Sequence, residues 1–452
     1  MSGERRPVRR RIVTNLRRAS AVMVLGVATA QVAAGPVVSA SGRCVTWRGR
    51  NLMLLGDSAT QVAPMNGRLD LRAWLDRCRK EGHSTVHVWA FTGPRPDDWR
   101  LGSAPPLLPW VRRSDGTWDL MRFDEGSDPE RHYWPRLRAL CRMARERDML
   151  VGITVLFGWA KEGGPGPGWQ VHPFNRDCGG FAARSADIVR PADEQEIQAD
   201  AWSEEWHASR KAQWHWERYC LKLIGETQAL GNVWYDYRDE WSYLNTQAAA
   251  AEAHWRRFFT SRGCLWADRT GLGGLRVANP DVPPPGNTPA IKTEGEPYGH
   301  DDVRTEVWSR AMRGTHYLLH NDAREPNVAS WDPTAAARHG VRPSDDLGRT
   351  YVGLCSRFLN RIVRKLDELA PIPSEGRSGV LWRRGPSELA AYAAATVASI
   401  EAPEGLTGRW SATVYDPITG RTHLVEPRSA NGRLTIVRPS GLRDWALLLR
   451  RR

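Results

Sequence analysis

From Asn51 onward the apolar positions alternate between compact runs and helical spacings. Asn51 to Asp57 reads as a buried strand ending in a turn. Leu71 to Arg79 then places Leu71, Trp74, Leu75 and Cys78 on one helical face. Thr85 to Phe91 is a second strand, followed by a Pro/Gly/Trp-rich loop. Tyr133, Leu137, Leu140, Cys141 and Ala144 mark the next helix, and Val151 to Phe157 a third strand. A helix over 204–229 leads to the strand Gly231–Tyr237, and a further helix covers 246–259. The segment 264–285 is poorly patterned, so strands five and six have no assigned position within it. Beyond it come a strand over 289–293, a helix over 302–313, a strand over 315–321 and a long helix over 351–369.

Strands alternating with helices at this spacing predict a parallel sheet with crossover helices. The count comes near eight units, which favours a closed (β/α)8 barrel over a doubly wound sheet. No glycine-rich phosphate-binding pattern follows the first strand, so a nucleotide-binding fold is disfavoured. Residues 158–201, rich in Gly, Pro and Asp, lack periodicity and read as a functional loop. The texture changes at 371–378, a linker. From 379 to 452 short strands such as Trp410–Tyr415, Leu434–Val437 and Trp445–Leu449 predict a small β-sandwich. Asp416-Pro417-Ile418-Thr419-Gly420 is a turn in which Pro presets φ and Gly accepts a positive φ.

The first forty residues read as a targeting segment. Seven Arg within the first eighteen precede an apolar stretch, and Val38-Ser39-Ala40 is a cleavage site that would leave a mature, secreted chain from Ser41. An uncleaved membrane anchor is the alternative; no other stretch is long and apolar enough to span a bilayer. The net charge of +13 rests on 58 Arg against 6 Lys, and almost half of it sits in that leader. The remainder forms no dense stripe, which argues against nucleic-acid binding. The seven cysteines include no C-x-x-C pair, so a zinc ribbon is unsupported; Cys78, Cys141 and Cys355 fall on helical patterns and read as buried. Tryptophan is the compositional outlier, 22 against 18 Phe plus Tyr, as a groove walled by indoles would require.

Two strands end in acid. Glu240 follows the run Gly231–Tyr237, and Glu294 and Glu296 follow the run ending at Thr293. Carboxylates just beyond the C-terminal ends of barrel strands sit where such barrels keep their chemistry. Two of them are the minimum equipment for cleaving a glycosidic bond. Other candidates lie at similar heights: Asp57 after strand one, Trp89 and Trp159 as sugar platforms after strands two and three, and His172 and Asn175 in the long loop. His320 and Asn321 follow the last strand. His300-Asp301-Asp302 reads as the start of a helix rather than a metal site. No cofactor is called for.

Gly49-Arg50-Asn51-Leu52-Met53-Leu54-Leu55-Gly56-Asp57-Ser58, His172-Pro173-Phe174-Asn175 and Asn232-Val233-Trp234-Tyr235 resemble segments of the retaining glycoside hydrolase clan of (β/α)8 barrels, its cellulase-like and apiosidase-like (DUF4038-type) members. Val414–Gly420 with Arg443–Leu447 resembles the C-terminal domain labelled collagen-binding in such proteins. In that clan the acid/base follows the fourth strand in an Asn-Glu pair and the nucleophile ends the seventh. The resemblance therefore implies Glu240 as acid/base, with Asp239 standing where the clan has the Asn that binds the sugar 2-hydroxyl. Thr293-Glu294-Gly295 resembles one nucleophile pattern of the clan and Gly295-Glu296-Pro297-Tyr298 another; Glu296 is favoured, with Glu294 the alternative.

The expectation is a secreted glycoside hydrolase acting on a polysaccharide or its side chains by double displacement. The altered Asp239 and the loop Arg176-Asp177-Cys178-Gly179-Gly180 after His172–Asn175 motivate the alternative, a non-catalytic carbohydrate- or matrix-binding protein on the same barrel.

Overall fold

The computed structural model describes residues 34–58, 63–67, 69–90, 107–156, 173–181, 210–238, 248–268, 270–277, 288–295, 300–320, 347–372, 380–403, 405–430 and 433–452. Its centre is a closed barrel of eight parallel strands. In chain order these are β1 (Leu55–Ser58), β2 (Thr85–Trp89), β3 (Leu150–Leu156), β4 (Val233–Arg238), β5 (Trp266–Asp268), β6 (Gly274–Val277), β7 (Ala290–Gly295) and β8 (Thr315–His320). Each pairs with its sequence neighbour, and β8 pairs with β1 through Tyr317↔Leu55 to His320↔Ser58. The ring takes up its own edges, which an open doubly wound sheet would leave unpaired.

Crossover helices coat the ring: α1 (Leu71–Glu81), α2 (Tyr133–Glu146), α3 (Arg210–Thr227), α4 (Ala248–Thr260), α5 (His300–Met312) and α6 (Leu347–Arg357). The expected faces are the buried ones, Leu71, Trp74, Leu75 and Cys78 on α1 and Tyr133, Leu137, Leu140, Cys141 and Ala144 on α2. Asp70 caps α1 by accepting the Ala73 N–H at 3.0 Å, which satisfies one of the helix's orphan donors. His300, Asp301 and Asp302 open α5, as expected. The predicted helix over 351–369 is instead α6 followed by a wider turn at Phe358–Ile362 and a 3-10 turn at Leu366–Glu368. All seven cysteines are free thiols, and Cys78, Cys141 and Cys355 are buried.

Three expectations need revision. The run Asn51–Asp57 is two elements. Arg50–Leu52 closes a three-stranded antiparallel sheet with Val37–Val38 and Val45–Trp47, and the barrel begins only at Leu55. The loop after β2 contains a β-hairpin, Trp110–Arg112 against Trp118–Phe123. The linker expected at 371–378 starts inside a strand, since Ala370–Ile372 already pairs with Trp382–Arg384. Most of the long segment 158–201 lies outside the described residues.

The C-terminal part comprises β9 (Ala370–Ile372), β10 (Val380–Arg384), β11 (Glu388–Ala393), β12 (Ser399–Glu401), β13 (Trp410–Tyr415), β14 (Thr422–Val425), β15 (Arg428–Ala430), β16 (Arg433–Val437) and β17 (Trp445–Arg451). They form a six-stranded antiparallel sheet ordered β9-β10-β11-β17-β13-β14 and a three-stranded one ordered β12-β16-β15. Alternation explains how the large sheet is used. Leu389, Ala391, Trp445, Leu447 and Leu449 pack with Ile400 and Ile436 of the small sheet. Ala390, Tyr392, Ala446 and Leu448 pack on Val307, Trp308 and Ala311 of α5 and on Tyr351 and Cys355 of α6. With both faces buried, β11 and β17 read as continuous apolar runs rather than alternating ones. In the predicted turn, Asp416 accepts Ile418 N–H at 2.8 Å and Thr419 Oγ1–H at 2.5 Å, and Gly420 has φ +74°.

Candidate active site

The interior of the barrel is built from alternate residues of each strand. Low in the ring the Trp234 indole crosses toward β3, where a Cβ on Gly152 would come within 2.2 Å of it. Only glycine lets that ring fill the barrel. One layer further toward the C-terminal end, four polar side chains converge from four strands: Ser58 (β1), His87 (β2), Thr154 (β3) and Asp236 (β4). All four are buried. His87 Nε2 lies 2.8 Å from Asp236 Oδ2 and 2.9 Å from Thr154 Oγ1, and its Nδ1 lies 2.9 Å from Ser58 Oγ. When Asp236 is ionised it can only accept, and Nε2–H is then the donor of this bond. The imidazole also stacks on Trp234, with centroids 5.6 Å apart and planes 10° from parallel.

β4 and β7 rise through this ring to the candidate acids. Glu294 is the penultimate residue of β7, where the pairing with β8 shifts register between Lys292 and Gly295. Such bulges bend a strand and recur beside active sites. Glu294 and Glu296 are two residues apart in the sequence, so strand parity does not choose between them. Glu240 and Asp239, Glu296, Trp159, His172 and Asn321 lie outside the described residues. His320 ends β8 beside Ser58 in register, placing it at the mouth end of the ring.

Three candidates have other work. Asp57 is a strand residue pointing away from the barrel interior. Its Oδ2 accepts the Trp74 Nε1–H of α1 at 3.0 Å and lies 3.4 Å from Arg349 Nε of α6, all of them buried. It ties two helices to β1 and does not meet a substrate. Trp89 is only 3% exposed and belongs to the apolar core, without the open face a sugar platform needs. Asn175 is buried, and its Oδ1 accepts the Asp177 N–H at 3.0 Å to cap a 3-10 turn, Arg176–Cys178.

Sequence reasoning missed Ser58, His87, Thr154 and Asp236. The available signal was a polar residue at an inward-facing position of an otherwise apolar strand, as in Val86-His87-Val88 and Tyr235-Asp236-Tyr237. Among the described residues no group of three or more His, Cys, Asp or Glu side chains is arranged to hold a metal ion.

Among solved structures, the chain is similar to a glycoside hydrolase at 14% identity, over 92% of this chain and 97% of that one, with a TM-score of 0.60. It is similar to a family 5 glycoside hydrolase from Bacteroides vulgatus ATCC 8482 at 14% identity, over 92% and 93%, with a TM-score of 0.59. Barrel and C-terminal sheets thus share one architecture with these proteins over nearly their whole length. No family model and no curated protein sequence matches the chain.

Proposed function

We propose that the protein is a glycoside hydrolase that cleaves a polysaccharide or its side chains with two carboxylates. The observation that carries this reading is ordinal. β5 and β6 lie between the two acid-bearing strands, so the strand leading to Glu240 is the fourth of the ring and the strand bearing Glu294 is the seventh. Those are the strands that hold the acid/base and the nucleophile in the clan the sequence resembles. The full-length likeness to proteins described as glycoside hydrolases supports the same reading.

In this mechanism Glu240 protonates the glycosidic oxygen while Glu296, or Glu294, attacks the anomeric carbon. Glu240 then takes a proton from the water that releases the sugar. A separation of about 5–5.5 Å between the two carboxyl groups corresponds to retention of configuration. The chain acts outside the cell, on a carbohydrate substrate and without a cofactor. The test is a polysaccharide screen read as released reducing sugar, with Glu240→Ala as control and the anomer of the first-formed product followed by proton NMR. Glycan binding without any turnover would replace this reading with that of a binding protein.

A further inference from the structure

The layer formed by Ser58, His87, Thr154 and Asp236 has no role in the double-displacement scheme, yet it occupies the middle of the barrel. Barrel interiors are ordinarily filled by branched apolar side chains. Replacing a buried polar pair by apolar groups of similar volume is often neutral or stabilising, so stability alone does not account for this layer. Its geometry is directional. The bond from His87 to Asp236 joins β2 to β4 across the interior face of β3, at the level of Thr154. Ser58 fixes the far side of the imidazole from β1, and Trp234 fixes its face. Among the described residues the groups facing His87 are therefore Ser58 from β1, Thr154 from β3, and Asp236 and Trp234 from β4. Asp236 precedes Glu240 by four residues on the same chain segment.

We infer that His87 is a positioning residue: through Asp236 it fixes the interior face of β4 and so aims the acid/base that follows it. This rests on Glu240 being the acid/base. His87 would then contribute wherever protonation of the leaving group is demanding and little where it is not. Ser58 is suited to support it in either protonation state, because a hydroxyl rotates to donate to a bare Nδ1 or to accept from Nδ1–H.

The experiment compares kcat/KM on 2,4-dinitrophenyl glycosides, whose leaving group needs no proton, with that on oligosaccharides of the same sugars. The variants are His87→Leu, His87→Gln and Glu240→Ala, with melting temperature recorded for each. His87→Leu should lose roughly tenfold or more on the oligosaccharide and less than about threefold on the activated glycoside. His87→Gln, which retains an N–H toward Asp236, should recover most of that loss. Glu240→Ala should show the same contrast on a larger scale. Equal losses of His87→Leu on both substrates, or no advantage of Gln over Leu, would overturn the positioning role while leaving Glu240 in place. Absence of the contrast in Glu240→Ala would overturn the acid/base assignment itself, and the inference with it. If His87→Leu does not fold, Ser58→Ala and His87→Gln carry the comparison; the same-sign contrast in Ser58→Ala supports the inference and its absence refutes it.

Discussion

Arg304 of α5 donates through Nε to Asp444 Oδ2 at 2.9 Å, and both side chains are buried where the barrel meets the C-terminal sheet. Tyr392 of β11 donates its hydroxyl to the same oxygen at 2.7 Å, and its ring stacks on Trp308 of α5, centroids 5.4 Å apart. The two parts share a core as well as this pair. Asp444→Ala removes the carboxylate from this buried pair, and breaking such a pair costs about 3–5 kcal/mol. Urea unfolding of Asp444→Ala should show that loss in a single transition, because barrel and sheet unfold together. Two separated transitions in the wild type would refute the coupling.

His316 of β8 is fully buried, and its Nδ1 accepts the Leu54 N–H at 2.7 Å. Burial, helped by the Arg383 charge, pushes its pKa down from 6.5 to about 3. Burial also lowers His83. The unfolded chain binds a proton near pH 6.5 that the folded chain refuses until about pH 3. The contribution of His316 to stability is therefore fully present above pH 6.5 and falls as pH drops from there toward about 3, by about 1.4 kcal/mol per pH unit. His316→Asn keeps an acceptor for Leu54 but does not titrate. Its melting temperature should fall less steeply between pH 6.5 and 4 than that of the wild type, and equal slopes would count against this assignment.

What the sequence made legible follows from how strongly each element patterns. α1 and α2 bury the faces their periodicity indicates. β5 and β6 did not show because they are three and four residues long and follow each other across a short turn with no helix between them. The first run reads as one strand because Met53 and Leu54, which separate Arg50–Leu52 from β1, are as apolar and buried as the strands they join. Of the candidate site, the acids were visible as punctuation at strand ends. His87 and Asp236 were hidden because a single polar residue inside an apolar run declares its direction only when the barrel closes.

Gly152 and Gly56 set how tightly that barrel closes. A Cβ on Gly152 would press into the Trp234 ring at 2.2 Å, and one on Gly56 would lie 1.8 Å from the Thr85 carbonyl oxygen. An indole in a packed core yields only partly, so Gly152→Ala should cost about 1–3 kcal/mol. Gly56→Ala meets backbone and should cost more. Chemical denaturation of the two variants gives the order directly, and a neutral Gly152→Ala would show that Trp234 is not held against β3.

Val37 and Val38 pair with Thr46 and Val45, and Val38 packs against the main core. Cleavage after Ala40 would remove this strand. Ala28-Thr29-Ala30 offers the same small-residue pattern upstream of it. If the chain is exported and its leader removed, as proposed, intact-mass analysis should give a chain starting at Gln31; a chain starting at Ser41 would mean that the strand is dispensable.

In the proposed mechanism Glu240 and a carboxylate at the end of β7 perform glycoside hydrolysis together. The deciding measurement is kcat/KM of Glu240→Ala, and of the double Glu294→Ala/Glu296→Ala variant, on the glycan the wild type cleaves best. A loss of about 10²–10⁴ for Glu240→Ala on the unactivated glycan, with at least as severe a loss in the double variant and melting temperatures unchanged, is the predicted result. Wild-type rates in both variants would contradict it.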